Sequence, residues 1–213
     1  MFTLRRVAAR RDAIDPRHPL HVTTRVVPEL GSLRKRDLYH AIREATIAVF
    51  EREGFHLVHA SVQRSHLHLL AEAEDKDTLA AGMKAFLVSA AKRINRALWR
   101  RTGVRRRGKV FADRYKPVAL TTPRQVRNCI AYVLNNFCCH GEDRAPIAAS
   151  WKVDPFSTGV FFNGWVELGD SPSLFIPRRG YLAMQTWLPK TWLLRVGWKK
   201  SGSVSVYEVP GRP

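Results

Sequence analysis

At 213 residues the chain has room for one sizeable domain, or for a domain of about 120 to 150 residues with an appendage, and not for a multidomain assembly. Its 45% hydrophobic and 25% charged residues exclude wholesale disorder, a collagen-like repeat and a disulfide scaffold. Thirty-six basic against 18 acidic residues leave a formal charge of +18, an excess that points to a polyanionic partner.

Residues 1–17 are arginine-rich and lack periodicity, so they read as a basic N-terminal arm. Residues 18–27 (HPLHVTTRVV) are rich in β-branched side chains and run into Pro28 and Gly31, which predicts a strand and a turn. Across 33–53, Leu38, Ile42, Ala45 and Val49 share one helical face that Gly54 closes. Residues 55–63 and 66–72 are short β-type runs around Arg64 and Ser65, the pattern of a hairpin. A long helix over 78–101 places Leu79, Met83, Phe86, Leu87, Ala90 and Ile94 inward and basic residues outward. Residues 109–120 alternate as a strand.

The next helix has the clearest start signal: Thr122 as N-cap, Pro123 at the first helical position, and Gln125 completing a capping box. Val126, Cys129, Ile130, Val133, Leu134 and Phe137 form one sector facing the sheet, with Tyr132 and Asn136 on its flank. The order β-α-β-β-α-β-α predicts an α+β fold: a ferredoxin-like (RRM-like) antiparallel sheet, two helices on one face, and a further helix against or across it. Residues 138–213 hold five of the six tryptophans and little periodicity beyond 191–198, a firm strand or short helix. They read as an irregular Trp-rich extension of the domain at 18–137, packed on it or on nucleic acid.

Residues 84–127 carry 14 basic side chains and one acid, Asp113. Arg93, Arg96, Arg100, Arg105, Arg106, Arg107, Lys109, Arg114 and Lys116 alternate there with Phe86, Trp99, Phe111 and Tyr115, a pattern able to pair phosphates and stack bases. No strongly apolar helix face accompanies them, so nucleic acid is preferred to a membrane surface. There is no run of 18 apolar residues, and the start MFTLRRVAARRD lacks a signal-type apolar core, so a cytoplasmic protein with no membrane partner is expected. Cys129, Cys138 and Cys139 suit reduced thiols, and with His140 they lack the spacing of a zinc site.

Two groups carry chemistry. In a strand, His66 and His68 project to the same face while Leu67 and Leu69 enter the opposite layer, so the pair is either a metal-ligand pair or a half-exposed pair on a sheet. Tyr132 is either a packing residue or a nucleophile. A phenol attacks phosphorus at neutral pH only with a cation or base beside it.

The runs HVTTRV (21–26), VQRSHLHLL (62–70), DRYK (113–116) and AYVLNN (131–136) occur in the order seen in single-tyrosine HUH transposases, and the chain resembles the REP-associated tyrosine transposases in particular. The resemblance spans 18–137. It implies a prokaryotic, nucleoid-associated nuclease and strand transferase acting on single-stranded DNA, often folded as hairpins, as a monomer or homodimer. It also implies that His66 and His68 bind a divalent ion, Mg²⁺ or Mn²⁺, that Asn136 is the third ligand on the helix of Tyr132, and that Tyr132 forms a 5′-phosphotyrosine link. The chain departs from the family in having Gln63-Arg64-Ser65 where Met-Pro-Asn or Met-Pro-Asp is common, Phe137 where proline follows the second Asn, and Val26 where glycine often follows the Arg of the first strand. Two other readings are a non-catalytic, domesticated nucleic-acid-binding protein of the same fold and a metal-dependent hydrolase in which water attacks.

Overall fold

The structure is a computed structural model and describes residues 13–139, 151–169, 171 and 173–208. Most of the basic arm, and His140, lie outside the described residues. Strands β1 (Leu20–Arg25), β2 (Phe55–Val62), β3 (His66–Ala73) and β4 (Lys116–Ala119) form one antiparallel sheet in the order β2-β3-β1-β4. Helix α1 (Arg36–Ile47) connects β1 to β2, and α2 (Lys76–Thr102) connects β3 to β4. The ferredoxin-like arrangement expected from the periodicities is the one observed.

The alternation of β3 decides how the layers are used. Leu67, Leu69, Ala71 and Ala73 enter a core with Leu38 and Ile42 of α1 and Met83, Phe86 and Ile94 of α2. His66, His68, Leu70 and Glu72 point to the other face, where Leu70 joins a second core built on α3 (Pro123–Leu134). The sheet is therefore covered by α1 and α2 on one side and by α3 on the other. Gly82 permits a close approach of α2 to β2, since a Cβ there would sit 2.2 Å from the Phe55 ring.

The start of α3 follows the sequence reading. Thr122 accepts from the Gln125 N–H, and the Gln125 side chain accepts from the N–H of Thr122. Helix α2 opens on a capping box as well, between Asp75 and Thr78, two residues earlier than expected.

Two expectations are corrected. Residues 109–120 are not one strand: Phe111 makes an isolated bridge to Val26, and pairing with β1 resumes only at Lys116. Between them the chain leaves the sheet and drops Tyr115 into the first core at 8% exposure. Pro117, which lacks an N–H, is tolerated because β4 is an edge strand. The second correction concerns α3, which ends at Leu134. A short helix, α4 (Asn136–Cys139), restarts after a break at Asn135 (φ −100°, ψ 15°). The cause is tertiary, because the Asn135 amide donates to the carbonyls of Ser205 (2.8 Å) and Glu208 (3.0 Å).

The C-terminal segment is part of the fold. Val153, Phe162, Trp165, Leu194, Trp198 and Val206 share the second core with Val126, Ile130 and Leu134 of α3. Val62 N–H donates to Phe156 O and Ser61 bridges Ser157, which covers the free edge of β2. Glu72, buried in β3, accepts from the N–H groups of Lys190 and Thr191 at the start of α5 (Trp192–Arg195), so residues 191–198 take the helical alternative. Arg34 and Asp154 form a bidentate pair, 2.9 Å on each arm, with side chains 7% and 0% exposed. No helix among the described residues is long and apolar enough to cross a membrane.

Candidate active site

The face of the sheet under α3 is polar where α3 leaves room for it. Strand register sets its rows: Lys116 of β4, Thr23 of β1, His68 of β3 and Ser61 of β2 lie side by side, and Arg25 of β1 stands beside His66 of β3. The imidazole centroids of His66 and His68 are 4.7 Å apart, with the rings nearly perpendicular. Tyr132, projecting from α3, meets His68 edge to face at 5.0 Å. Groups far apart in the chain thus converge because α3 crosses the face to which the even-numbered positions of β3 point.

His21 completes the cluster, and reading the sequence did not single it out. Its Nε2 lies 3.0 Å from His68 Nδ1, its ring stacks on His68 at 5.2 Å, and it meets Tyr132 edge to face at 5.9 Å. Thr23 Oγ1 lies 3.4 Å from the same His68 nitrogen. Burial pushes the His21 imidazole down to about 4, so it is neutral at pH 7 and carries one N–H. The signal was present in HVTTR, where His21, Thr23 and Arg25 alternate onto one face. What single-strand periodicity lacks is the register that sets them against β3.

Asn136 is fully buried, and among the described residues neither its Oδ1 nor its Nδ2 meets a hydrogen-bond partner. Buried amides are rarely left so, and each unmade bond costs about 1–3 kcal/mol. Gln63 is also fully buried; its Nε2 donates to Ser61 Oγ at 2.6 Å while Oε1 has no such partner among the described residues. No group of three His, Cys, Asp or Glu side chains able to hold a metal occurs among the described residues. The Asn136 amide oxygen, without a partner among the described residues, is of the donor type that a divalent ion takes beside imidazole nitrogens.

The predicted DNA-binding residues divide between the layers. Lys116 is exposed on the face of His68, and Arg114 precedes it. Lys109 and Arg106 shape the preceding loop, Lys109 Nζ donating to Ala112 O and Arg106 Nη2 to Lys109 O, each at 2.7 Å. Arg105 lies over the Trp99 ring at 5.1 Å, and Arg107 is exposed. Arg93, Arg96 and Arg100 are exposed on α2, across the sheet from Tyr132.

On the same face, His59 lies 3.2 Å from Thr158 Oγ1 and edge-on to Phe162, and burial holds its imidazole at about 4. The unfolded chain takes up that proton near 6.5, whereas the folded chain resists until about 4. Stability contributed above pH 6.5 is thus lost as pH falls from there to about 4. His59→Gln is expected to flatten part of that fall in a pH series of thermal midpoints, and an unchanged slope would show that His59 does not contribute to it.

No protein-family model matches the chain, and neither does any of the curated proteins. Among solved structures, a REP-associated tyrosine transposase bound to a REP hairpin is similar over 86% of this chain and 99% of its own, with a TM-score of 0.50 and 18% identity. The two chains share a fold. That likeness extends beyond the sheet and its helices into the C-terminal segment, because the matched share exceeds the span of 18–137. At this identity the comparison fixes the architecture, and chemistry has to be argued from the side chains.

Proposed function

We propose that the protein is a transposase-type endonuclease and strand transferase that cuts and rejoins single-stranded DNA through Tyr132. The observation that carries this reading is the packing of Tyr132 against His68 and His21 on a cation-rimmed sheet face. The hairpin DNA held by the structurally similar transposase supports the choice of substrate.

His66 and His68 would hold a divalent ion, Mg²⁺ or Mn²⁺, with the Asn136 amide oxygen. When bound, such an ion acts as a Lewis acid toward the scissile phosphate. Two nitrogens beside one oxygen suit Mn²⁺ at least as well as Mg²⁺. If His68 ligated through Nε2, its Nδ1–H would donate to the neutral His21 Nε2, 3.0 Å away, which would fix both tautomers and the ring plane. Lys116 and Arg25, on the rows of His68 and His66, hold the DNA backbone by charge.

The Tyr132 oxygen attacks phosphorus as its proton leaves to solvent or a neighbouring base. The bond from phosphorus to the 3′ oxygen breaks, and that oxygen departs as a 3′-hydroxyl after taking up a proton. A 3′-hydroxyl attacking the phosphotyrosine reverses the sequence and joins new ends without an external energy source, since one phosphodiester is exchanged for another.

The experiment that tests the ligand assignment is a double substitution, His66→Ala with His68→Ala, assayed on labelled single-stranded DNA in Mn²⁺. Cleavage should fall about 10³-fold or more, with folding intact by circular dichroism. Normal cleavage by that protein would remove the imidazole pair from the mechanism.

A further inference from the structure

At the mouth of the β2–β3 hairpin, Gln63 is 0% exposed, although Arg64 and Ser65, which follow it, are exposed. Its N–H donates to His66 O at 2.9 Å and continues the pairing of Val62 with Leu67 and of Ser61 with His68, so Gln63 lies directly across from His66. Residues paired in this way share a face of the sheet. Val62 and Leu67 enter the first core, which turns Ser61, Gln63, His66 and His68 together to the opposite face. The 2.6 Å bond from Gln63 Nε2 to Ser61 Oγ keeps the side chain on that face.

The same bond decides which end of the amide is left over. Ser61 engages the nitrogen arm, and the buried Oε1 has no hydrogen-bond partner among the described residues. A buried acceptor in that condition is destabilising, and a glutamine that only filled space would do better as methionine, which has a similar volume and no amide. Asn136, four positions after Tyr132, repeats the pattern with its own fully buried Oδ1. The surroundings offer a cation no counter-charge. No trio of His, Cys, Asp or Glu gathers among the described residues, and the rows of His66 and His68 carry Arg25 and Lys116. Because affinity for divalent ions rises with the number and charge of the oxygen ligands, two imidazoles and one amide make a poor site, and each added oxygen counts.

We infer that Gln63 Oε1 is a further ligand of the divalent ion at His66 and His68, which then has two imidazole nitrogens and two amide oxygens, those of Gln63 and Asn136, and no anionic ligand from the protein. The inference rests on the proposed function for the presence of an ion and extends its ligand set. With neutral donors alone, the double charge of the ion is left for the scissile phosphate, and affinity for the ion itself is low.

The test is Mn²⁺ binding by the full chain without DNA, read from the electron paramagnetic resonance of the free ion and from the rise in thermal midpoint that Mn²⁺ causes. Gln63→Met, which keeps the volume and removes the oxygen, should weaken Mn²⁺ binding about tenfold or more. Gln63→Glu, which puts a carboxylate oxygen in the same place, should tighten it about tenfold or more, and its midpoint should rise most with Mn²⁺. A packing role would move neither affinity. Equal Mn²⁺ affinity in wild type and Gln63→Met would overturn the inference, and so would a folded Gln63→Glu protein that binds no more tightly, or a wild type that Mn²⁺ does not affect. If the buried carboxylate prevents folding, Gln63→Met decides alone. Adduct formation on single-stranded DNA, measured alongside, separates the two readings. A wild-type adduct with Mn²⁺ affinity indifferent to Gln63 defeats only the ligand assignment. Affinities that fall in the order Glu, Gln, Met at position 63, in proteins that form no adduct, support the ligand and defeat only the catalytic proposal.

Discussion

A Tyr132→Phe protein is expected to form no DNA adduct that survives denaturing gel electrophoresis, a fall of about 10⁴-fold or more, while it still binds single-stranded DNA. The substitution removes one oxygen and leaves the ring that packs on His68 and His21, so fold and binding face should persist. That separation of chemistry from binding is what distinguishes a nucleophile from a packing residue. If the variant still forms the adduct, another side chain attacks. If wild type cuts the strand without any adduct, water is the attacking group and the tyrosine is structural.

The second large effect concerns stability and the attachment of the C-terminal segment. Asp154→Ala should destabilise the protein by about 3–5 kcal/mol, because it strands the Arg34 guanidinium in a buried place. For a chain of this size that is a fall of about 10 °C in thermal midpoint. Asp154 also accepts from the Phe156 N–H at 3.0 Å, next to the backbone bond that joins Phe156 to β2. Asp154→Asn, which keeps an acceptor for that N–H, should lose less. Equal midpoints for Asp154→Ala and wild type in a calorimetric or denaturant measurement would show that this pair does not anchor the segment.

Much of the architecture was legible because local patterns and tertiary demands agree. The alternation of β3 predicts both its inward leucines and its paired histidines, and the Thr122, Pro123 and Gln125 signal places the start of α3 to the residue. The reading failed where long-range contacts override local pattern. AYVLNNF continues a helical period, yet the Asn135 amide is drawn to carbonyls near the C-terminus and the helix breaks there. Residues 109–120 alternate like a strand, but Tyr115 gains more from the core than from the sheet.

The candidate site shows the same division. His66, His68, Tyr132 and Asn136 were found from spacing and resemblance, and the structure packs the first three together. His21 and Arg25 carry the right two-residue alternation, but only the pairing of β1 with β3 sets them beside the histidines. The second core could not be read from residues 151–208, whose tryptophans have no periodicity; it exists because α3 has an outer side to cover. Asn135, together with the ion pair of Arg127 and Glu208, holds the helix of Tyr132 to that segment. The position of Tyr132 is thus tied to residues more than 70 positions downstream.

The most direct measurement is mass spectrometry of the protein after incubation with single-stranded DNA and Mn²⁺, nuclease trimming and trypsin digestion. The account predicts a nucleotide remnant on Tyr132, in the peptide that begins at Asn128. A remnant on any other residue, or cut DNA with every tyrosine unmodified, would contradict it.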